Sequence, residues 1–152
     1  MKPVVIHASC VSVKGKGVVI LGESGAGKSD LALRLIDEGA RLVADDQTEL
    51  SVEKGRLMAR APRRIAGLIE VRGLGIVAHP FAKTAAIALV VKLAVPERLP
   101  HPQSFQPPKP LKLAKPPPLI LLDGSLPSAP ARIRLALAAF AKGLLREDLN
   151  PI

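Results

Sequence analysis

The sequence predicts an α/β protein: a mixed sheet with flanking helices, organised around a phosphate-binding glycine loop. Three observations carry that reading. The stretch "GESGAGKSD", Gly22 to Asp30, contains the pattern G-x-x-x-x-G-K-[ST]. A short apolar run, Val18 to Leu21, leads straight into it, and a helical pattern follows from Lys28. A second run, "RLVADD", ends in two acids, Asp45 and Asp46. Strand, glycine loop, helix and a second strand ending in acids is the order expected of an α/β sheet with a phosphate site at the carboxyl ends of its strands.

The elements follow in order. "VKGKG", Val13 to Gly17, lies between two apolar runs and reads as a hairpin turn into the strand Val18–Leu21. Leu31, Leu33, Leu35 and Ile36 give the next segment an apolar helical face, and Gly39 is its stop signal. Leu42 to Ala44 is the second strand. Glu49 to Val52 and Leu57 to Ala59 form a hairpin turned at "EKG", and Leu68 to Arg72 is a short strand or turn. "AAIALVVKLAV", Ala85 to Val95, is long for a strand, but its β-branched residues favour a buried strand. Nine prolines fall in a connector at about 96–118 and exclude a helix there, so an extended, partly mobile segment is expected. Leu119 to Leu122 returns to the sheet. A C-terminal helix at about 130–145 follows Ser128, a good N-cap, with Pro130 tolerated in its first turn. Its apolar face packs on the core or meets another subunit or a partner. The chain of 152 residues suits one domain, 1–152.

Composition narrows the function. Only 2% of residues are aromatic, with no Trp or Tyr, so stacking on nucleic-acid bases has almost nothing to use. The net charge of +9 suits an acidic partner or a nucleotide, but the basic residues are scattered and no nucleic-acid role is expected. Cys10 is the single cysteine and, beside Val11 and Val13, reads as an inert core thiol. Met1 to Ser9 lacks a continuous apolar segment, and no apolar run reaches the length of a membrane span. A cytoplasmic protein without a membrane partner is expected.

The loop's chemistry is specific. Gly22, Gly25 and Gly27 allow the backbone to turn its N–H groups toward a phosphate, and the following helix adds its N-terminal partial charge. Lys28 supplies a full charge toward the β- and γ-phosphates, and Ser29 offers a hydroxyl to Mg²⁺. Asp45 and Asp46 are expected at the same rim. One could hold the metal as a Walker-B acid does, and the other could take a proton from an attacking hydroxyl. No guanine-reading N-K-x-D motif is present, so a kinase-like phosphotransferase fits better than a switch GTPase.

"LGESGAGKSDLALRLIDEGARLVADD", together with "LIEVRGLGI" at Leu68 to Ile76, closely resembles the bacterial HPr kinase/phosphorylase family. "IHASCVSVKGKGVVILGESG" is similar to that family's entry into the loop, including a histidine, His7, fifteen residues before Gly22. The resemblance is strong from Ile6 to about Ile76 and weak through the proline-rich part. It implies a P-loop-containing mixed sheet with a phosphoenolpyruvate-carboxykinase-like core. It also implies an ATP- and Mg²⁺-dependent serine kinase acting on an HPr-like phosphocarrier protein. A reverse phosphorylase reaction and assembly as a homo-oligomer, a hexamer in that family, come with it.

By the same resemblance, Gly22, Glu23, Ser24, Gly25, Ala26, Gly27, Lys28 and Ser29 take the nucleotide-loop role. Asp45 takes the place of the catalytic base, with Asp46 beside it. Glu70 and Arg72 fall on the signature's charged pair and His7 on an active-site histidine. Glu70 with Ser29 would complete the metal shell, and Arg72 would stabilise charge on the transferred phosphoryl group. Alone, Glu70 and Arg72 would read as a surface ion pair, and His7 as structural.

Three departures from the family's pattern accompany the resemblance. A typical N-terminal regulatory domain has no counterpart in this chain, so regulation through it is not expected. "VAHPFAKTAAIALV" is shorter than the family's loop, with Lys83 as a remnant. The late basic phosphate contact is not recognisable, and Lys112 or Lys115 stands in the region where it would fall. Two other readings stay open: a small-molecule kinase on the same scaffold, and a nucleotide-sensing module without turnover.

Overall fold

The computed structural model describes residues 1–96 and 102–149. Its elements run β1 (Val4–Val13), β2 (Lys16–Leu21), α1 (Lys28–Asp37), β3 (Arg41–Ala44), β4 (Gln47–Glu53) and β5 (Arg56–Arg60). They continue with β6 (Leu68–Val71), β7 (Gly75–Ala78), β8 (Ala85–Leu93), β9 (Gln103–Ser104), β10 (Pro118–Leu122) and α2 (Ala129–Lys142). Among the described residues no helix is long and apolar enough to cross a membrane.

The expected hairpins form where glycine permits the turn. Lys14–Gly15 joins β1 to β2, and Lys54–Gly55 joins β4 to β5. All four turn residues sit at positive φ. β1 is long enough to serve two sheets. Its first half, Val4 to His7, pairs with β4, while its second half pairs with both β2 and β3. β8 likewise pairs with β5 at its start and with β2 and β10 further on. Because β2 meets β8, the strands β1, β4, β5, β8 and β2 close into a ring.

β2, β8 and β10 run parallel, and β3 runs parallel to β2 because both are antiparallel to β1. The ends of β2 and β3 therefore share one rim, which is what brings the glycine loop and the acid pair together.

Alternation along the strands sorts two cores. Val18 and Ile20 of β2, with Leu89 and Val91 of β8, face α1 and α2, where Leu31, Leu35 and Ile133 meet them. Val19 and Val90 point the other way, into a cluster inside the ring with Cys10, Val43, Leu50 and Leu57. Burial pushes the Cys10 thiol up to about 12.

Two expectations change here. The described part of the proline-rich segment is tied down, because Phe105 and Leu111 join the inner cluster. Ser128 does stand before α2, but its hydroxyl makes no cap. It accepts instead from Arg132 Nε at 2.9 Å, and Gly143 in the left-handed conformation ends the helix at Lys142.

Candidate active site

The glycine loop is built by its own backbone. Gly25 and Gly27 lie at φ 82° and 96°, and a Cβ at either would meet only open space. Conformation rather than crowding is thus what requires glycine there. Lys28 is buried, and its Nζ donates to the Gly22 carbonyl at 2.7 Å and the Glu23 carbonyl at 3.0 Å. Two of its three N–H donors fold the loop over, and one is left. Gly27 begins α1 without a side-chain cap, so the first amides of the helix stay available to a ligand.

The acids behave as opposites. Asp45 is buried, and protein donors surround its carboxylate. Ser29 Oγ donates to Oδ1 at 2.6 Å, Ser9 Oγ to the same oxygen at 3.1 Å, and the Glu70 amide to Oδ2 at 3.0 Å. Asp46 is exposed, stands at φ 64°, and projects into the cleft. His7 Nδ1 lies 3.8 Å from Asp46 Oδ1, both side chains open to solvent.

Glu70 and Arg72 arrive on a separate two-stranded ribbon, β6–β7, closed at its base by the His79 amide donating to the Gly67 carbonyl. Ile69 is buried and anchors the ribbon, while the Glu70 amide ties it to Asp45. A cleft of about 690 Å³ results. Ser24, Gly25, Gly27, Lys28 and Ser29 form one wall, and Asp46, Glu70, Val71 and Arg72 form the other.

Within the cleft the structure thus assembles most of the expected residues. His7 stands at its edge beside Asp46, Asp45 is buried behind the lining, and Gly22, Glu23 and Ala26 shape the loop without lining the cavity. Lys83, Lys112 and Lys115 are exposed and lie outside the cleft lining. Ser9 was not among the expected residues. A serine within an apolar strand carries no sequence signal of a carboxylate beside it.

The donor set fits a polyphosphate with a hard divalent cation. Free amides and a lysine suit phosphate oxygens. The Ser29 hydroxyl and the Glu70 carboxylate supply hard oxygens, and magnesium is usually held by few carboxylates plus phosphates. Among the described residues no group of three or more His, Cys, Asp and Glu side chains converges as an all-protein metal cage.

Comparison with known proteins gives consistent findings. The family model of the HPr Serine kinase C-terminal domain matches residues 1–99. The HPr kinase/phosphorylase of Clostridium beijerinckii is 49% identical over 72 residues, 47% of this chain and 24% of that protein. That of Clostridium tetani is 48% identical over 75 residues, 49% of this chain and 25% of that protein. The matched stretch is therefore about a quarter of each relative's length. The solved structure of the Hpr(Ser) kinase/phosphatase from Coxiella burnetii superposes with a TM-score of 0.76 at 26% identity, covering 92% of this chain and 97% of that one.

Proposed function

The chain belongs to the HPr serine kinase C-terminal domain family, and from that premise we propose that it transfers the γ-phosphoryl group of ATP to a serine of an HPr-like phosphocarrier protein. One observation carries the reading. The Asp45 carboxylate binds the loop's Ser29 and the signature's Glu70 amide at once, leaving Asp46 as the acid that faces the cleft.

The roles follow from that division. Asp46, rather than Asp45, is the general base, because a base must reach the proton it removes. Asp45 has its oxygens directed at protein donors and instead orients Ser29. The carrier's serine oxygen bonds to the γ-phosphorus as the bond to the ADP oxygen breaks. Its proton passes to Asp46, and ADP leaves. His7 stands beside Asp46 and can take part in handling that proton. Ser29 and Glu70 would hold Mg²⁺, which neutralises phosphate charge when bound. Lys28 and the loop amides hold the phosphates, and Arg72 faces the charge that develops on the transferred group.

A protein substrate suits the cleft better than a small molecule. Its outer wall is the exposed β6–β7 ribbon, which carries Leu74 and Ile76 into solvent beside Arg72. The test is incubation with labelled ATP and HPr-like carriers, followed by mapping of the modified residue. Phosphoserine on the carrier is the expected result. ATP binding with no labelled carrier would favour a sensing module. A second incubation, of phosphorylated carrier with inorganic phosphate, reads the reverse direction as pyrophosphate.

A further inference from the structure

Ser9 lies on β1, fully buried, two residues past His7. Its hydroxyl has one proton to give and lone pairs to receive. The proton goes to Asp45 Oδ1 at 3.1 Å, and the oxygen accepts from the Asp46 amide at 3.2 Å. One side chain thus touches both acids, through the carboxylate of one and the backbone of the other.

The backbone at this point needs holding. Asp46 is a non-glycine residue in the left-handed region, at φ 64°, and the Gln47 amide reaches back to the Asp45 carbonyl at 2.7 Å. Such conformations persist only where neighbours over-determine them. Here β1 holds the peptide groups on both sides of the Asp46 Cα. The Ala8 amide donates to the Asp46 carbonyl at 3.0 Å, and Ser9 Oγ takes the Asp46 N–H. That turn is what sends two consecutive carboxylates in opposite directions, one inward to Ser29 and one outward into the cleft.

We propose that Ser9 is a positioning residue: it fixes the strained turn at Asp46 and so sets which acid faces the substrate. The inference rests on the kinase reading for its kinetic consequence, but its structural half can be read without any ligand.

The experiment compares wild type with Ser9→Ala, and with Ser9→Cys should the alanine variant fold poorly. Hydrogen exchange of the Asp46 amide, followed on ligand-free protein, is expected to accelerate about tenfold or more once its acceptor is gone. ATP affinity should stay within about twofold while kcat for carrier labelling falls about 10–100-fold, as misplacement of a reacting group does. An unchanged Asp46 exchange rate overturns the proposal. So does a fall in affinity, kcat and thermal midpoint together, which marks a merely structural serine. If wild type labels no carrier, the kinase reading fails and amide exchange still decides the role of Ser9. If wild type and Ser9→Ala label equally, the positioning role alone fails.

Discussion

The floor and the mouth of the cleft are built on opposite terms. At the floor, Lys28 and Asp45 are buried and Ser29 half-buried, and each polar group is already engaged by the protein. At the mouth, His7, Asp46, Glu70 and Arg72 are exposed, with only the 3.8 Å approach of His7 to Asp46 among their side chains. A buried charge must be satisfied on the spot, so the floor is set before any ligand arrives. The mouth is left free to meet one. Under the proposed kinase reading, that difference assigns binding to the floor and transfer to the mouth.

The sharpest way to break that division is Asp46→Asn. Carrier labelling is expected to fall about 10²–10⁴-fold, the usual worth of a general base, while ATP affinity stays within about twofold. Asp45→Asn should behave differently, weakening ATP binding through Ser29. If Asp45→Asn abolishes labelling at full ATP affinity while Asp46→Asn is active, the two roles are reversed.

Lys28→Met tests the floor directly. It removes a buried cation that folds the loop and, on the proposed reading, meets phosphate. ATP affinity, read by calorimetry, is expected to drop about 10–100-fold, the range of one or two charge-assisted hydrogen bonds. Unaltered affinity would remove the loop from the nucleotide site. Arg72→Lys, at the mouth, should cost less. A point charge replaces a planar fork, so labelling is expected to slow by about tenfold, near the worth of one charge-assisted bond, with ATP affinity unchanged. A loss of ATP affinity there instead would move Arg72 to the binding side of the comparison.

The sequence made the floor's parts visible and hid their arrangement. The loop, its strand and its helix follow from glycine positions and apolar runs, and both hairpin turns follow from "KGKG" and "EKG". The division between Asp45 and Asp46 depends on one backbone torsion, 64° at Asp46; aspartate tolerates that region, but two in succession do not say which one adopts it. Adjacent acids at a strand end read alike until the turn separates them. Ser9 was hidden for a related reason, since its partners lie 36 and 37 residues away. The second strand of the ribbon, β7, is four residues whose pairing to β6 comes from the turn between them. In the proline-rich segment, proline content concealed Phe105 and Leu111, whose burial ties the segment to the inner core.

A separate effect, on stability rather than turnover, concerns what lies behind the floor. Cys10 follows Ser9 on β1 and is fully buried, with its thiol held up to about 12 from an ordinary value of 9.0 because burial disfavours the thiolate. Below pH 9 the thiol is neutral in both folded and unfolded chains, so it contributes no pH dependence. Between about 9 and 12 the unfolded chain loses this proton and the folded one keeps it, so stability falls as pH rises, by about 1.4 kcal/mol per unit. The measurement is a difference between two chains, so every ionisation they share cancels. Urea unfolding of wild type and Cys10→Ala from pH 8 to 11 should show a constant offset up to about 9, from the lost side chain. Above that the offset should shrink, because only wild type suffers the thiol's loss. Iodoacetamide should leave native Cys10 unmodified at pH 8 and react after unfolding. An offset that stays flat to pH 11, or rapid native alkylation, would mean that the wall behind the acids opens to water, and the contrast between a fixed floor and a free mouth would weaken accordingly.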